Sequence, residues 1–303
     1  MEKLEKFVIV GPGSQLLGVK IANILGINHI NTEFKSFPDG EIYLRLNLED
    51  ETLLENKEII IIQSTGPSAN SDQNSRLFEL LMIIDAVKRI GVEKISVIVP
   101  YLAYARQDKI FRPGESEFAK RVLKLIDIMG IDEFFVVDIH APEVLEVMSC
   151  KTVNIDSMDV LAKSIRDMGA EDIVVVSPDK GAIERSKAFA KHFGDNILVD
   201  VFEKKRDVKT GEITMSGSLS LENKDVVIAD DIIATGGTMA TAIKLARKSG
   251  ANKIYAAATH ALMLQNAKYR ILSAGADEII GTDSIDNEVS RVSLANVITD
   301  YLK

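Results

Sequence analysis

Residues 226 to 238, VVIADDIIATGGT, place two adjacent carboxylates, Asp230 and Asp231, at the end of an apolar run and follow them with a glycine turn flanked by threonines. That order offers recognition of a phosphorylated sugar. The backbone N–H groups of Gly236, Gly237 and Thr238, with the hydroxyls of Thr235 and Thr238, can surround a phosphate at the start of the helix that MATAIKLARKSG predicts. The helix dipole also favours an anion there. Asp230 and Asp231 are then placed to accept hydrogen bonds from a ribose diol. An acid pair alone before a helix is as readily a capping feature. The complete string at a strand-to-helix switch is what favours a site.

Four other strings put polar side chains into loops beside strands. SPDKG, residues 177 to 181, sets Asp179, Lys180 and Gly181 in a tight turn, where a carboxylate can hold Mg2+ and backbone amides can approach a diphosphate. DIHA, at 138 to 141, carries His140 just past EFFVVDI, the end of a strand at which open α/β sheets bind ligands. In PYLAYARQDK, at 100 to 109, Arg106 offers a guanidinium that stacks on a base or forks a phosphate, with Gln107 and Asp108 supplying an amide and a carboxylate. FPDGE, at 37 to 41, reads locally as a hairpin turn. A fifth string, EKKRDVKTGE, is rich in cations and reads in isolation as a solvated face. The available donors are oxygens, with no Cys/His cluster, so Mg2+ is preferred to zinc.

These loops need a scaffold, and the chain supplies a repeating one. Short β-branched runs (KFVIV, KEIIII, KISVIV, EFFVVD, DIVVVS, NILVDV, DVVIAD, KIYAAA) alternate with helical patterns, which predicts parallel strands with crossover helices. SRLFELLMIIDAVKRIG has apolar residues at helical spacing and ends on Arg89 and Gly91, a charged last turn and a glycine stop. The second half repeats the first: FVIVGPGSQLLGVKIANILG is echoed by IVVVSPDKGAIERSKAFAKHFG, and KEIIIIQSTG by KDVVIADDIIATGG. A duplicated α/β domain follows, with residues 1–150 as the first copy, 151–289 as the second, the boundary falling near Cys150 to Asp156, and 290–303, chiefly SLANVITDYLK, expected to pack back on the first.

The chain has 303 residues, 46% of them hydrophobic, enough for two cores. Its net charge of -9 argues against a nucleic-acid groove, which needs clustered cations. No apolar run approaches the roughly 20 residues that span a bilayer. The single cysteine, Cys150, cannot form an internal disulfide, and a cytoplasmic setting is expected. GPGSQLLG imitates a dinucleotide-binding fingerprint, but Leu16 stands where its third glycine should be.

The string at 226 to 238 resembles the signature of the type I phosphoribosyltransferase fold, which names a sugar-phosphate site and no reaction. FPDGE, PYLAYARQDK, DIHA and SPDKG, spread along most of the chain in family order, resemble the ribose-phosphate pyrophosphokinases. The resemblance implies two duplicated type I phosphoribosyltransferase-like domains with parallel sheets flanked by helices. It also implies transfer of a diphosphoryl group from ATP to C1 of ribose 5-phosphate with Mg2+ as cofactor. It assigns Arg106, Gln107, Asp108 and His140 to ATP, His140 and Asp179 to the metal, and Asp179, Lys180 and Gly181 to the diphosphate. Asp230, Asp231, Thr235, Gly236, Gly237 and Thr238 go to ribose 5-phosphate. Phe37, Asp39 and Glu41 reach the adenine of ATP on a neighbouring subunit, which implies a homo-oligomer with shared sites. Lys204 and Arg206 lie on a catalytic loop that neutralises the migrating phosphates, with Lys205 a bystander. Many bacterial and eukaryotic members carry an acid where this chain has Ala234, so it looks more like the archaeal branch, and inhibition by ADP is put in question.

Overall fold

The computed structural model describes residues 4–206, 213–216 and 220–303, with the backbone alone in 203–206 and 213–216. The chain divides into two compact units, one of Met1–Asp156 with Asp283–Asn287 and Ser293–Lys303, the other of Ser157–Thr282 with Glu288–Val292.

The first unit contains β1 (Lys6–Val10), α1 (Gln15–Leu25), β2 (Asn28–Ser36), β3 (Ile42–Leu46), β4 (Glu58–Ile62), α2 (Gln73–Ile90), β5 (Lys94–Val99), α3 (Phe118–Asp127), β6 (Glu133–Val137) and β7 (Lys151–Ile155). Its sheet has the order β3-β2-β1-β4-β5-β6-β7, parallel except for the β2–β3 hairpin. A parallel sheet covered on both faces needs strands that are apolar throughout. Ile59 to Ile62 and Val97 to Val99 are accordingly all buried. α2 begins where Asp72 Oδ1 accepts from the N–H groups of Asn74 (2.8 Å) and Ser75 (2.9 Å), and ends at Gly91 with φ +86, the left-handed stop its sequence predicts.

The second unit holds α4 (Met158–Asp167), β8 (Ile173–Ser177), α5 (Ile183–Lys191), β9 (Leu198–Val201), β10 (Glu203–Arg206), β11 (Ile213–Ser216), β12 (Asp225–Ile233), α6 (Gly237–Lys248), β13 (Ile254–Ala261), α7 (Ala267–Ser273), β14 (Glu278–Thr282) and β15 (Ser290–Val292). Its main sheet is parallel, with the order β15-β14-β13-β12-β8-β9, and β10 and β11 form a separate antiparallel ribbon. The sequence echo pairs β1 with β8 and β4 with β12. In those terms β2-β1-β4-β5-β6-β7 and β9-β8-β12-β13-β14-β15 are one topology used twice.

The first unit runs to Asp156, because β7 is the last strand of its sheet and pairs with β6 from Glu133↔Lys151 to Val137↔Ile155. Residues 290–292 stay with the second sheet as β15. The last segment, carrying α8 (Ala295–Asp300), belongs to the first unit and packs on α1. Asp283 anchors it by accepting from Leu294 N–H (2.7 Å), the Ser293 hydroxyl (2.7 Å) and Lys20 Nζ (3.0 Å).

Candidate active site

In each sheet the strand order reverses between two central strands, β1 and β4 in one and β8 and β12 in the other. The crevice beyond their carboxyl ends is where open α/β sheets take ligands. In the second unit the loops at that crevice are SPDKG, after β8, and the acid pair with its glycine turn, at the end of β12.

β12 runs through Ile233, so the acids lie inside the strand and not after it. Consecutive strand residues ordinarily face opposite sides. The ladder keeps one register from Asp230↔Ala258 to Ile232↔His260, and it is the Asp230 side chain that folds back, Oδ1 accepting from Asp231 N–H at 2.9 Å. Both carboxylates thereby meet one guanidinium, with Arg185 Nη1 donating to Asp231 Oδ1 at 2.7 Å and to Asp230 Oδ1 at 3.1 Å. Asp231 is 5% exposed and Asp230 is half-buried. Burial, reinforced by the hydrogen bond to and charge of Asp231, pushes the Asp230 carboxyl up to about 7, while Arg185 pulls it down.

The glycine turn carries its conformation in two distinct ways. Gly236 is buried with φ +71 at the N-cap of α6, and a β-carbon there would lie 3.0 Å from Ile271 Cδ1. Gly237 would bring its β-carbon within 4 Å of nothing, so backbone is open to approach at the first residue of the helix. Thr235, Gly237 and Thr238 are exposed. No side chain of the N-cap position can satisfy the first-turn N–H groups of α6, which remain available for an anion. Arg270 donates to the Thr235 carbonyl and holds the turn from behind.

SPDKG is wired more tightly than its sequence implies. Asp179 Oδ1 accepts from Gly181 N–H (2.9 Å) and Ala182 N–H (3.1 Å), capping a short 3-10 turn, Lys180–Ala182, that leads into α5. The Gly181 amide is thus held by the protein's own carboxylate. Arg185 sits in the first turn of the helix that follows, so the two loops at the crevice are joined through it.

In the first unit Arg106, Gln107 and Asp108 follow β5, and His140 follows β6, its neighbour in the sheet. Arg106 and Gln107 are exposed, Asp108 is buried and His140 half-buried. Lys109 Nζ lies 3.5 Å from Asp108 and 3.7 Å from Glu143, tying the two loops together. Thr65 fixes the loop after β5, its hydroxyl donating to Tyr101 O (2.9 Å) and accepting from Ala103 N–H (2.6 Å). FPDGE forms the β2–β3 turn. Phe37 N–H donates to Glu41 O (2.7 Å), Asp39 Oδ1 accepts from Glu41 N–H (3.1 Å), and the half-exposed Phe37 ring meets Tyr43 edge-on at 6.5 Å. β1 and β4 stand between β2 and β5, and the hairpin continues past the last β1–β2 pair, Val10↔Asn31, so it lies away from the loop of Arg106. The structure unites the loops of Arg106 and His140 and leaves Phe37, Asp39 and Glu41 apart from them.

Lys204 and Arg206 fall on β10, paired with Met215 and Ile213 of β11, and their side chains lie outside the described residues, as do Thr210 and Gly211. Arg185 is the site residue that sequence reasoning missed. Its one local signal was a cation in a helix's first turn, where the dipole prefers the acid that Glu184 supplies. The fingerprint-like GPGSQLLG turn is filled from within: Gln63, the echo of Asp230, accepts from Gly13 N–H at 2.8 Å, and its Oε1 lies 2.3 Å from where a β-carbon on Gly11 would stand.

A doubly used parallel α/β unit, with a carboxylate pair and a Thr-Gly-Gly-Thr helix start at the switch point of one copy, defines a two-domain protein of the phosphoribosyltransferase fold. Residues 7–130 match the N-terminal domain of ribose phosphate pyrophosphokinase, and residues 147–295 match the phosphoribosyl transferase domain. Proteins named ribose-phosphate pyrophosphokinase from Methanosarcina acetivorans (36% identical, covering 98% of this chain and 99% of the relative) and Pyrococcus furiosus (36%, 97% and 100%) are similar over nearly their whole length. The crystal structure of phosphoribosylpyrophosphate synthetase from Mycobacterium smegmatis superposes with a TM-score of 0.86 at 28% identity, covering 98% of this chain and 97% of that one. The chain belongs to the ribose-phosphate pyrophosphokinase family.

Proposed function

We propose that the protein transfers the β,γ-diphosphoryl group of ATP to the C1 hydroxyl of ribose 5-phosphate, giving 5-phospho-α-D-ribose 1-diphosphate and AMP. The observation that carries this reading is the crevice between β8 and β12, where a carboxylate pair and an uncapped helix start lie side by side. Asp230 and Asp231 take the ribose hydroxyls. The hydroxyls of Thr235 and Thr238 and the amides of Gly236, Gly237 and Thr238 take the 5-phosphate. Asp179, Lys180 and Gly181 face the diphosphate, with Lys180 supplying charge and the Gly181 amide becoming available only if Asp179 releases it.

ATP is assigned to the paired loops of the first unit. Arg106 stacks on or forks the nucleotide, Gln107 and Asp108 orient it, and His140 meets its phosphates. Phe37, Asp39 and Glu41 sit on the β2–β3 hairpin, two strands removed from β5 in their own protomer. They are assigned to the adenine of a neighbouring subunit's ATP, in a homo-oligomer. Mg2+ fits the donor set: among the described residues no three His, Cys, Asp or Glu side chains form a cage, and this ion usually takes one or two protein ligands and completes its shell with phosphate and water. His140 of the first unit and Asp179 of the second are each assigned as metal ligands, and the metal would neutralise phosphate charge during transfer. Lys204 and Arg206 add the cations that stabilise charge on the migrating group. The reaction then asks for alignment and charge neutralisation more than for covalent chemistry. A cytoplasmic setting suits the free thiol of Cys150, which burial pushes up to about 11 and so keeps protonated.

Incubation with ATP, Mg2+ and ribose 5-phosphate tests the reading. AMP is expected in step with the diphosphorylated sugar, and only when ribose 5-phosphate is present. ATP bound without turnover would instead mark a nucleotide-sensing module.

A further inference from the structure

The strongest unassigned feature is the cation between the two loops of the second unit. We infer that Arg185 is a positioning residue that fixes the orientation and charge of Asp230 and Asp231 and thereby sets the affinity for the ribose hydroxyls of ribose 5-phosphate. The inference rests on the reading of that crevice as the sugar-phosphate site.

Three observations converge on it. One nitrogen, Nη1, donates to both acids at 2.7 and 3.1 Å, so a single guanidinium joins the carboxylates of two consecutive strand residues. Arg185 stands in the first turn of α5, where a cation opposes the helix dipole, so the helix itself gives no reason for a cation there. Asp231 is almost wholly buried, and a buried carboxylate stays ionised only with a paired charge and hydrogen bonds. Ionised carboxylates are pure acceptors, the state in which they take bonds from hydroxyls. Arg185 lowers the pH at which this pair gives up its proton, so without the guanidinium the pair would keep that proton, and one acid its donor character, to higher pH. The rise of Asp230 to about 7, with Arg185 already opposing it, agrees with that tendency.

The consequence differs from that of a merely structural ion pair. Arg185→Gln removes the charge and keeps a hydrogen-bonding head, and Arg185→Lys keeps the charge and loses the planar fork. The Gln variant is expected to raise the KM for ribose 5-phosphate about 10- to 100-fold, the range for a hydrogen bond to a charged group, with the KM for ATP little changed. The acid limb of kcat/KM for ribose 5-phosphate should move to higher pH, and the Lys variant should bring the limb back towards the wild type. Titration of each protein with ribose 5-phosphate alone reads the same affinity without turnover, and thermal unfolding reports whether the Gln variant remains folded. If that variant unfolds, the Lys variant decides, since a raised sugar KM with an unmoved ATP KM supports the role. Unchanged sugar affinity and an unmoved acid limb in an active enzyme overturn the role of Arg185 alone. A wild type that makes no AMP overturns the reading of the crevice and this role with it.

Discussion

Asp231 Oδ1 lies 2.7 Å from Arg185 Nη1, a contact between residues 46 apart in sequence that joins the end of β12 to the first turn of α5. This ion pair makes the crevice of the second unit one object, since the same nitrogen also reaches Asp230 and the same helix begins in the SPDKG turn.

Asp231→Asn keeps the size of the side chain and removes its charge. Ribose 5-phosphate should bind about 10- to 100-fold more weakly while the ATP KM moves little, because a charged hydrogen bond to a sugar hydroxyl is lost. Steady-state kinetics with each substrate varied in turn will show it, and a change confined to ATP would remove this loop from the sugar site.

The two glycines of the turn should separate stability from binding. Gly236→Ala forces an L side chain into φ +71 and sets a methyl 3.0 Å from Ile271, so a loss of at least about 1 kcal/mol is expected in denaturant unfolding. Gly237→Ala meets open space and should leave stability unchanged while weakening ribose 5-phosphate, whose phosphate approaches that backbone. Equal destabilisation by both would contradict this division.

Protonation of Asp230 gives a pH signature. Its carboxyl is pushed from 3.8 to about 7 on folding, so the folded chain binds this proton more tightly than the unfolded one. The resulting stability is fully present below about pH 4 and is lost as pH rises through about 7. Asp230→Asn is neutral throughout, so its melting temperature relative to wild type should climb across that interval. A difference independent of pH would mean that folding does not hold the proton.

Shared sites can be tested by mixing Phe37→Ala subunits with Arg106→Ala subunits, each nearly inactive alone. Random exchange rebuilds about a quarter of the sites if each draws one face from each of two subunits. No recovery after verified exchange would place both residues in one protomer's site.

The basic ribbon offers a comparison within three residues. Lys204→Ala and Arg206→Ala should each lower kcat about 10²- to 10³-fold with modest KM changes, as expected for contacts made chiefly in the transition state. Lys205→Ala should stay near wild type. Small, equal effects at the three positions would return the segment to a solvated face.

What the sequence made legible was whatever local pattern controls. The apolar spacing and Gly91 marked α2, the echo of KEIIII in DVVIAD foretold one topology used twice, and the string from Asp230 to Thr238 marked a crevice. Relationships across long loops were illegible. Nothing near Arg185 names Asp231, nothing in KTVNI says that it completes the sheet before it, and the Asp179 carboxylate reads equally as a ligand and as the cap it forms. The ladder between β12 and β13, which carries both acids, depends on pairing with a strand almost thirty residues later.

The return of residues 283–287 and 293–303 to the first unit bears on how the chain is made. During synthesis the first sheet can form once β7 has emerged, but the face of α1 that receives α8 stays uncovered until residues 293–303 have been made. Ala295 and Ile298, both buried, must wait for that moment. The unit translated first is therefore closed only after Ser157–Thr282 of the second has been made, and a fragment ending at Asp156 would present bare apolar surface in place of a closed domain.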